Sequence, residues 1–194
     1  DPKGMVEKLH KMGFKVLLWM CPFVSMDSPA YRLLEFGVSP DTVKPQRRGG
    51  FVTEGEKDQA AAVRWWNGRS ALVDLSHPNG HEWFVGQLDG LVRDYGIDGF
   101  KFDGGNVSDY AGTRCHDKSL SLTDQSALYA NLALKYKGSE YRNAFGFGGK
   151  PVIMRLHDKD HTWSAVERLI PDMLAAGLIG IPFICPDMIG GGEW

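Results

Sequence analysis

Apolar positions recur along the chain with two different periods. Behind Asp1-Pro2, the residues Met5, Val6, Leu9 and Met12 fall near a 3.6-residue spacing. They predict a helix with Asp as N-cap, Pro at its first position and Gly13 just past its end. Lys15–Met20 (KVLLWM) is then a nearly continuous apolar strand, closed by Cys21-Pro22. Residues 24–64, with Pro29, Pro40, Pro45 and Gly49-Gly50, show no sustained period and read as a long irregular connection. Ser70–Leu75 can be extended. Trp83, Phe84, Leu88, Leu91, Val92 and Tyr95 predict a helix over Asn79–Tyr95, capped by Gly96. Gly99–Phe102 (GFKF) is a short core strand, followed by a polar loop over 104–121. Leu128, Leu132 and Leu134 mark a further helix from Thr123 to about Tyr136. A weak strand at Tyr141–Phe147 and a firmer one at Pro151–Leu156 (PVIMRL) come next. Trp163–Ala176 is helical in period, with Pro171 predicting a kink or a late start. Ile179–Cys185 (IGIPFIC) is the last strand.

Strands that alternate with helices and are apolar on both faces predict a parallel α/β sheet covered by helices. A doubly wound sheet and a (β/α)8 barrel both fit that order. The polar residues separate them. Asp103, Asp158 and Asp187 each lie just past the carboxyl end of a predicted strand, and functional groups drawn from several strand ends are the signature of a barrel. No G-x-G-x-x-G or phosphate loop opens a helix, which argues against a nucleotide-binding sheet. A complete barrel needs eight strands and roughly 250 residues. The expectation is therefore a partial TIM barrel, about strands 3 to 7, with both ends absent.

The stretch GIDGFKFDGGN concentrates the chemistry. Asp-Gly-Gly is a good turn whatever the function. Yet Lys101 and Asp103 share one face of a core-like strand, where two charges are costly unless they serve a site. Lys101 is expected to keep Asp103 ionised, and the two glycines to leave room for a ligand. Asp158, in RLHDKDH, lies nearest the end of its strand. Asp160 suits the N-cap of the helix that follows. Two carboxylates converging at one end of a barrel, with no metal motif, point to glycoside hydrolysis with a nucleophile and a general acid/base. His77, His81, His157 and His161 have H-x3-H spacing, but His77 precedes a proline and His157 ends a strand, so they do not form a metal set. In Trp65-Trp66-Asn67, adjacent side chains cannot both point one way. One is expected to face a cavity, as a sugar-stacking wall would.

Composition narrows the alternatives. The 194 residues are 43% apolar and 24% charged with a net charge of −2, an ordinary globular balance. No basic run supports nucleic-acid or anionic-membrane binding, and no apolar stretch is long enough to span a bilayer. DPKGMVEKLH shows no signal-peptide h-region, which leaves the compartment open. Three widely spaced cysteines, Cys21, Cys115 and Cys185, form neither a disulfide framework nor a zinc site.

Taken in order, GFKVLLWMCPFV, RWWNG, LVDLSHP, GFKFDGG, RLHDKDHTW and GIPFICPDMIGG resemble the catalytic barrel of glycoside hydrolase family 31, and within it an α-galactosidase-like branch. The F-K-F-D strand also resembles that of families 27 and 36. The resemblance covers residues 1–194, read as the central portion of such a barrel without its flanking strands and β-domains. It implies a retaining, exo-acting α-glycosidase, with α-glucosidase, α-xylosidase and transglycosylase as related activities and a carbohydrate-binding decayed barrel as the non-enzyme alternative. By motif match it makes Asp103 the nucleophile and Asp158 the acid/base. It places Lys101, Trp66, Arg142, Arg155, Asp187 and Trp19 around the sugar. Lys101 stands where many α-glucosidases carry Trp and the α-xylosidase-like and α-galactosidase-like branches carry Lys, and Arg155 also stands where many α-glucosidases carry Trp; together with Trp65-Trp66-Asn67 they motivate the expectation of α-galactoside. A carbohydrate substrate is the implied partner, and no cofactor or metal is implied. Taken alone, the 194-residue chain is expected to be inactive, and either oligomeric or dependent on further chain.

Overall fold

The computed structural model describes residues 1–38, 49–56, 58–143 and 146–187. The chain runs α1 (Pro2–Lys11), β1 (Leu17–Met20), β2 (Phe23–Val24), α2 (Pro29–Phe36), β3 (Thr53–Glu54), β4 (Val63–Trp65), β5 (Gly68–Leu72), α3 (Pro78–Tyr95) and β6 (Gly99–Phe102). It continues through a 3-10 turn at Val107–Tyr110, then β7 (Thr113–Arg114), α4 (Leu122–Lys135), β8 (Glu140–Tyr141), β9 (Ile153–Arg155), α5 (Trp163–Leu178) and β10 (Phe183–Cys185). Five strands form one sheet in the order β1-β6-β8-β9-β10, every pair parallel. This is the expected arc of a (β/α)8 barrel.

The strand period of two divides the residues of this arc between two environments. Phe100 and Phe102 are fully buried and point toward the helices, meeting Tyr129 of α4 and Tyr136 at its carboxyl cap at ring-centroid distances of 5.6 Å (Phe102–Tyr129) and 5.0 Å (Phe100–Tyr136). Tyr141 joins the cluster from β8, 5.7 Å from Tyr129. The alternate positions Trp19, Lys101 and Glu140 are register partners on β1, β6 and β8. The expectation that both faces are apolar therefore holds only on the helix side. The inner face of the central strands carries charge.

Several elements depart from the sequence reading. The stretch 24–64, expected to be irregular, holds α2, which starts at a Ser28 cap accepting from the Tyr31 N–H and stops at left-handed Gly37. The extended segment near Ser70–Leu75 is β5. It pairs antiparallel with β2 and β4 in a separate sheet and does not join the arc. Trp65 pairs with Gly68, so Trp66-Asn67 form a two-residue hairpin turn. Asn67-Gly68 is a strong hairpin signal. α5 runs unbroken through Pro171 and neither ends nor starts late there. Its N-cap is Thr162, whose Oγ1 accepts from the Ala165 N–H at 3.2 Å, and not Asp160. The weak strand shrinks to Glu140–Tyr141, and residues 144–145 of the expected span lie outside the described residues.

At the amino end of the arc, Asp98 fastens α1 to the sheet. Its Oδ2 accepts from the Val16 N–H at 2.8 Å and lies 2.7 Å from His10 Nε2, while Lys15 Nζ sits 3.1 Å from Oδ1. Desolvation raises this carboxyl, but the Val16 N–H, His10 and Lys15 together outweigh it and bring it down to about 2. A depressed folded value gives stability that is present above the unfolded pKa near 3.8 and is lost as pH falls toward 2. Asp98→Asn is accordingly expected to lower Tm at pH 7 and to lower it less at pH 3. Equal losses at the two pH values in paired thermal melts would contradict this.

Candidate active site

The site is built from two steps along the central strands. Lys101 and Glu140 face each other in register. Two residues further on, the same face presents Asp103 after β6 and Arg142 after β8, 3.5 Å apart (Nη1–Oδ1). Arg155, the last residue of β9, completes this upper level. Asp158 follows three residues later, and Asp187 follows β10, held in a left-handed backbone with φ of 76°.

Asp103 accepts on both oxygens. Oδ1 takes the Arg155 Nη2–H at 2.8 Å, the Gly104 N–H at 3.0 Å and the more distant Arg142. Oδ2 takes the Trp19 indole N–H at 3.0 Å. Burial pushes the Asp103 carboxyl up, but the Trp19 bond, the Arg155 charge and the Gly104 N–H outweigh it. The carboxyl is held below its ordinary value and stays ionised at neutral pH.

The cation beside Asp103 is Arg155, and this corrects the pairing expected from sequence. Lys101 turns instead to Asp187 (3.2 Å) and Glu140 (3.5 Å). Arg155 is 2% exposed and surrounded by carboxylates. Besides Asp103, its Nε lies 2.9 Å from Glu140 Oε1, an ion pair that is off hydrogen-bond alignment. Its Nη1 lies 3.8 Å from Asp158 and 3.7 Å from Asp187. Asp103 and Asp158 thus flank one buried guanidinium. Burial would raise the Asp187 carboxyl, yet its contacts with Asp158, Lys101 and Arg155 hold it low. Glu140 was missed by the sequence reading. The available signal was its position two residues before Arg142, which puts both on one strand face.

Of the paired tryptophans, Trp65 stacks on Phe23 at 4.4 Å while Trp66 is 74% exposed. Trp66 meets Trp19 edge-on at 6.2 Å. Together they form an aromatic wall beside Asp103 Oδ2. The glycines after Asp103 serve packing. A Cβ on Gly104 would come within 2.7 Å of the Phe23 ring, and one on Gly105 would collide with Tyr129. Tyr129 in turn places its hydroxyl 3.1 Å from both the Met20 and the Asp103 carbonyl oxygens, locking the ends of β1 and β6 together.

The other polar features are separate. A cavity of about 360 Å³ lies against Asp74, His77, Cys115 and His116, and none of the Asp103 cluster lines it. His77 caps α3, accepting from the Asn79 N–H at 3.1 Å. Among the described residues no group of three His, Cys, Asp or Glu side chains is arranged to hold a metal ion. No described helix is long and apolar enough to cross a membrane.

A parallel arc with ionisable groups gathered past its carboxyl strand ends defines a TIM-barrel type of domain. The model of the glycosyl hydrolases family 31 TIM-barrel domain matches residues 1–192, and the chain belongs to that family. The myogenesis-regulating glycosidase of Mus musculus is 36% identical over 202 residues, covering 98% of this chain and 26% of that protein. The 1,3-alpha-isomaltosidase of Kribbella flavida is 28% identical, over 98% of this chain and 27% of its own length. The alpha-xylosidase of Emericella nidulans is 27% identical, over 100% and 24%. Among solved structures, the cycloalternan-degrading enzyme of Trueperella pyogenes superposes with a TM-score of 0.69 at 26% identity, over 95% of this chain and 27% of that one. The chain therefore spans about a quarter of the length of the relatives it matches.

The packing role of Gly105 has a direct check. Gly105→Ala adds a collision with Tyr129 to the cost of φ +69°, whereas Gly112→Ala, at φ +75° with open space around it, bears the backbone cost alone. Gly105→Ala should lose about 1–3 kcal/mol more than Gly112→Ala in denaturant unfolding. Equal losses would mean that the Asp103 turn does not depend on that close approach.

Proposed function

We propose that the protein is a retaining, exo-acting α-glycosidase that removes terminal α-linked galactose, with Asp103 as nucleophile and Asp158 as acid/base. The observation that carries this reading is that Asp103 and Asp158 flank the same buried guanidinium at the carboxyl ends of β6 and β9. In the first step Asp103 attacks the anomeric carbon while Asp158 gives its proton to the departing glycosidic oxygen. In the second, Asp158 takes a proton from water as that water attacks the same carbon and Asp103 is released. The depressed carboxyl of Asp103 suits a group that must begin ionised. Trp19 and Trp66 offer apolar faces for the sugar ring, and Arg142, Lys101 and Asp187 supply polar groups around it. The preference for galactoside rests on Lys101 and Arg155, where many α-glucosidases carry Trp, and on Trp65-Trp66-Asn67. A structure of the cycloalternan-degrading enzyme captured with a covalent intermediate, 25% identical with a TM-score of 0.67, supports carrying a covalent route to this chain.

Two measurements on the protein at its full natural length test the proposal. A fluorosugar that traps the glycosyl-enzyme should label the peptide containing Asp103, and label on any other peptide removes Asp103 from the role. Aryl α-galactoside, α-glucoside and α-xyloside compared side by side should give the highest kcat/KM for galactoside. A higher value for either rival overturns the sugar preference and leaves the mechanism standing. Saturable binding without turnover of any of the three would favour a binding protein on the same barrel.

A further inference from the structure

The two oxygens of Asp103 are not equivalent. Oδ1 is engaged by Arg155, the Gly104 N–H and Arg142, whereas among the described residues Oδ2 accepts from the Trp19 indole N–H alone and lies on the side of the Trp19–Trp66 wall. A carboxylate that forms an ester bonds through one oxygen and keeps the other as carbonyl. The oxygen with three donors is the one already spoken for, so Oδ2 is the oxygen free to bond to carbon. We infer that Arg155, oriented by Glu140, acts chiefly in the second half of the reaction, as the group that makes Asp103 a good leaving group. This rests on the assignment of Asp103 as nucleophile.

In that step water adds to the anomeric carbon and its proton passes to Asp158. The bond from the anomeric carbon to Oδ2 breaks, and its electron pair stays on Asp103. The returning negative charge spreads onto Oδ1, where the Arg155 Nη2–H already sits at 2.8 Å. Because Arg155 is 2% exposed, water screens its field poorly. It is worth most to a state with a developing carboxylate and least to the neutral ester. In the first step the same charge stabilises the starting carboxylate, so it does not help Asp103 attack.

Glu140 makes this possible as a positioning residue. A buried guanidinium needs counter-charge and a fixed rotation about its stem. Glu140 Oε1, 2.9 Å from Nε, supplies that counter-charge along one edge as an ion pair, while the Nη2–H bond at 2.8 Å points the other edge at Asp103. Lys101, 3.5 Å from Glu140 and 3.2 Å from Asp187, offsets part of their negative charge, so that these carboxylates do not cancel Arg155 at Asp103.

The test uses the full-length protein and the 2,4-dinitrophenyl α-glycoside of the best sugar in the substrate comparison, whose leaving group makes the second step limiting. For Arg155→Met, kcat should fall roughly tenfold to hundredfold. KM should fall with it, so that kcat drops by a clearly larger factor than kcat/KM. A burst of dinitrophenol and a glycosyl-enzyme mass at steady state should accompany the change. Glu140→Gln should show the same split at smaller amplitude. If Arg155→Met does not fold, because it strands Glu140, the double variant Arg155→Met with Glu140→Gln removes the buried pair together and carries the test. A fall in kcat/KM as large as that in kcat, with KM unchanged and no burst, overturns the inference. Fluorosugar label on the Asp103 peptide alongside that result would leave the nucleophile assignment intact. Label elsewhere would remove both.

Discussion

Everything charged in this site is arranged around one costly act, the burial of the Arg155 guanidinium. A lone charge in a barrel interior is expensive, and paired charges repay the cost only with close geometry. Arg155 is hydrogen-bonded to Asp103 at 2.8 Å, ion-paired with Glu140 at 2.9 Å, and has Asp158 and Asp187 at the edge of contact. Those partners come from strand ends β6, β8, β9 and β10. The guanidinium therefore acts as a clasp that sets the relative placement of four carboxylates otherwise distant in sequence.

The clasp works because the strands behind it are immobilised by a different kind of interaction. On the helix side, Phe100, Phe102, Tyr129, Tyr136 and Tyr141 form an aromatic layer that is almost wholly buried. Tyr129 belongs to both worlds. Its ring packs in that layer, and its hydroxyl reaches the backbone carbonyls of Met20 and Asp103. The left-handed glycines after Asp103 admit Phe23 and Tyr129 so closely that no side chain fits there. The sequence GFKFDGG thus encodes two faces in alternation: phenylalanines for the core, and lysine and aspartate for the site.

Much of this was legible from the chain. Alternating periods gave the parallel arc, and the positions of Asp103, Asp158 and Asp187 after strands pointed to the working end. The differences at the site itself share a cause, since each concerned a choice that depends on contacts distant in sequence. Lys101 and Asp103 are two residues apart, so a local reading pairs them, but the real partner of Asp103 is 52 residues away. Glu140 carried only a faint signal, its spacing from Arg142, because its two-residue strand is specified by its neighbours β6 and β9 and not by its own pattern. The hairpin at Trp66-Asn67 and the Thr162 cap are different: both carry local signals, Asn-Gly and a Thr before an apolar helix.

The carboxylates around the clasp are not held alike. Asp103 and Asp187 are kept below their ordinary values despite burial, by the Trp19 indole, Arg155 and the Gly104 N–H in the first case and by contacts with Asp158, Lys101 and Arg155 in the second. Asp158 stands apart, 57% exposed and meeting Arg155 only at 3.8 Å. One guanidinium thus grips Asp103 closely and Asp158 loosely, and leaves the two carboxylates in unlike surroundings by geometry alone. Packing that buries a single arginine is therefore also what makes the carboxylates beside it different from one another.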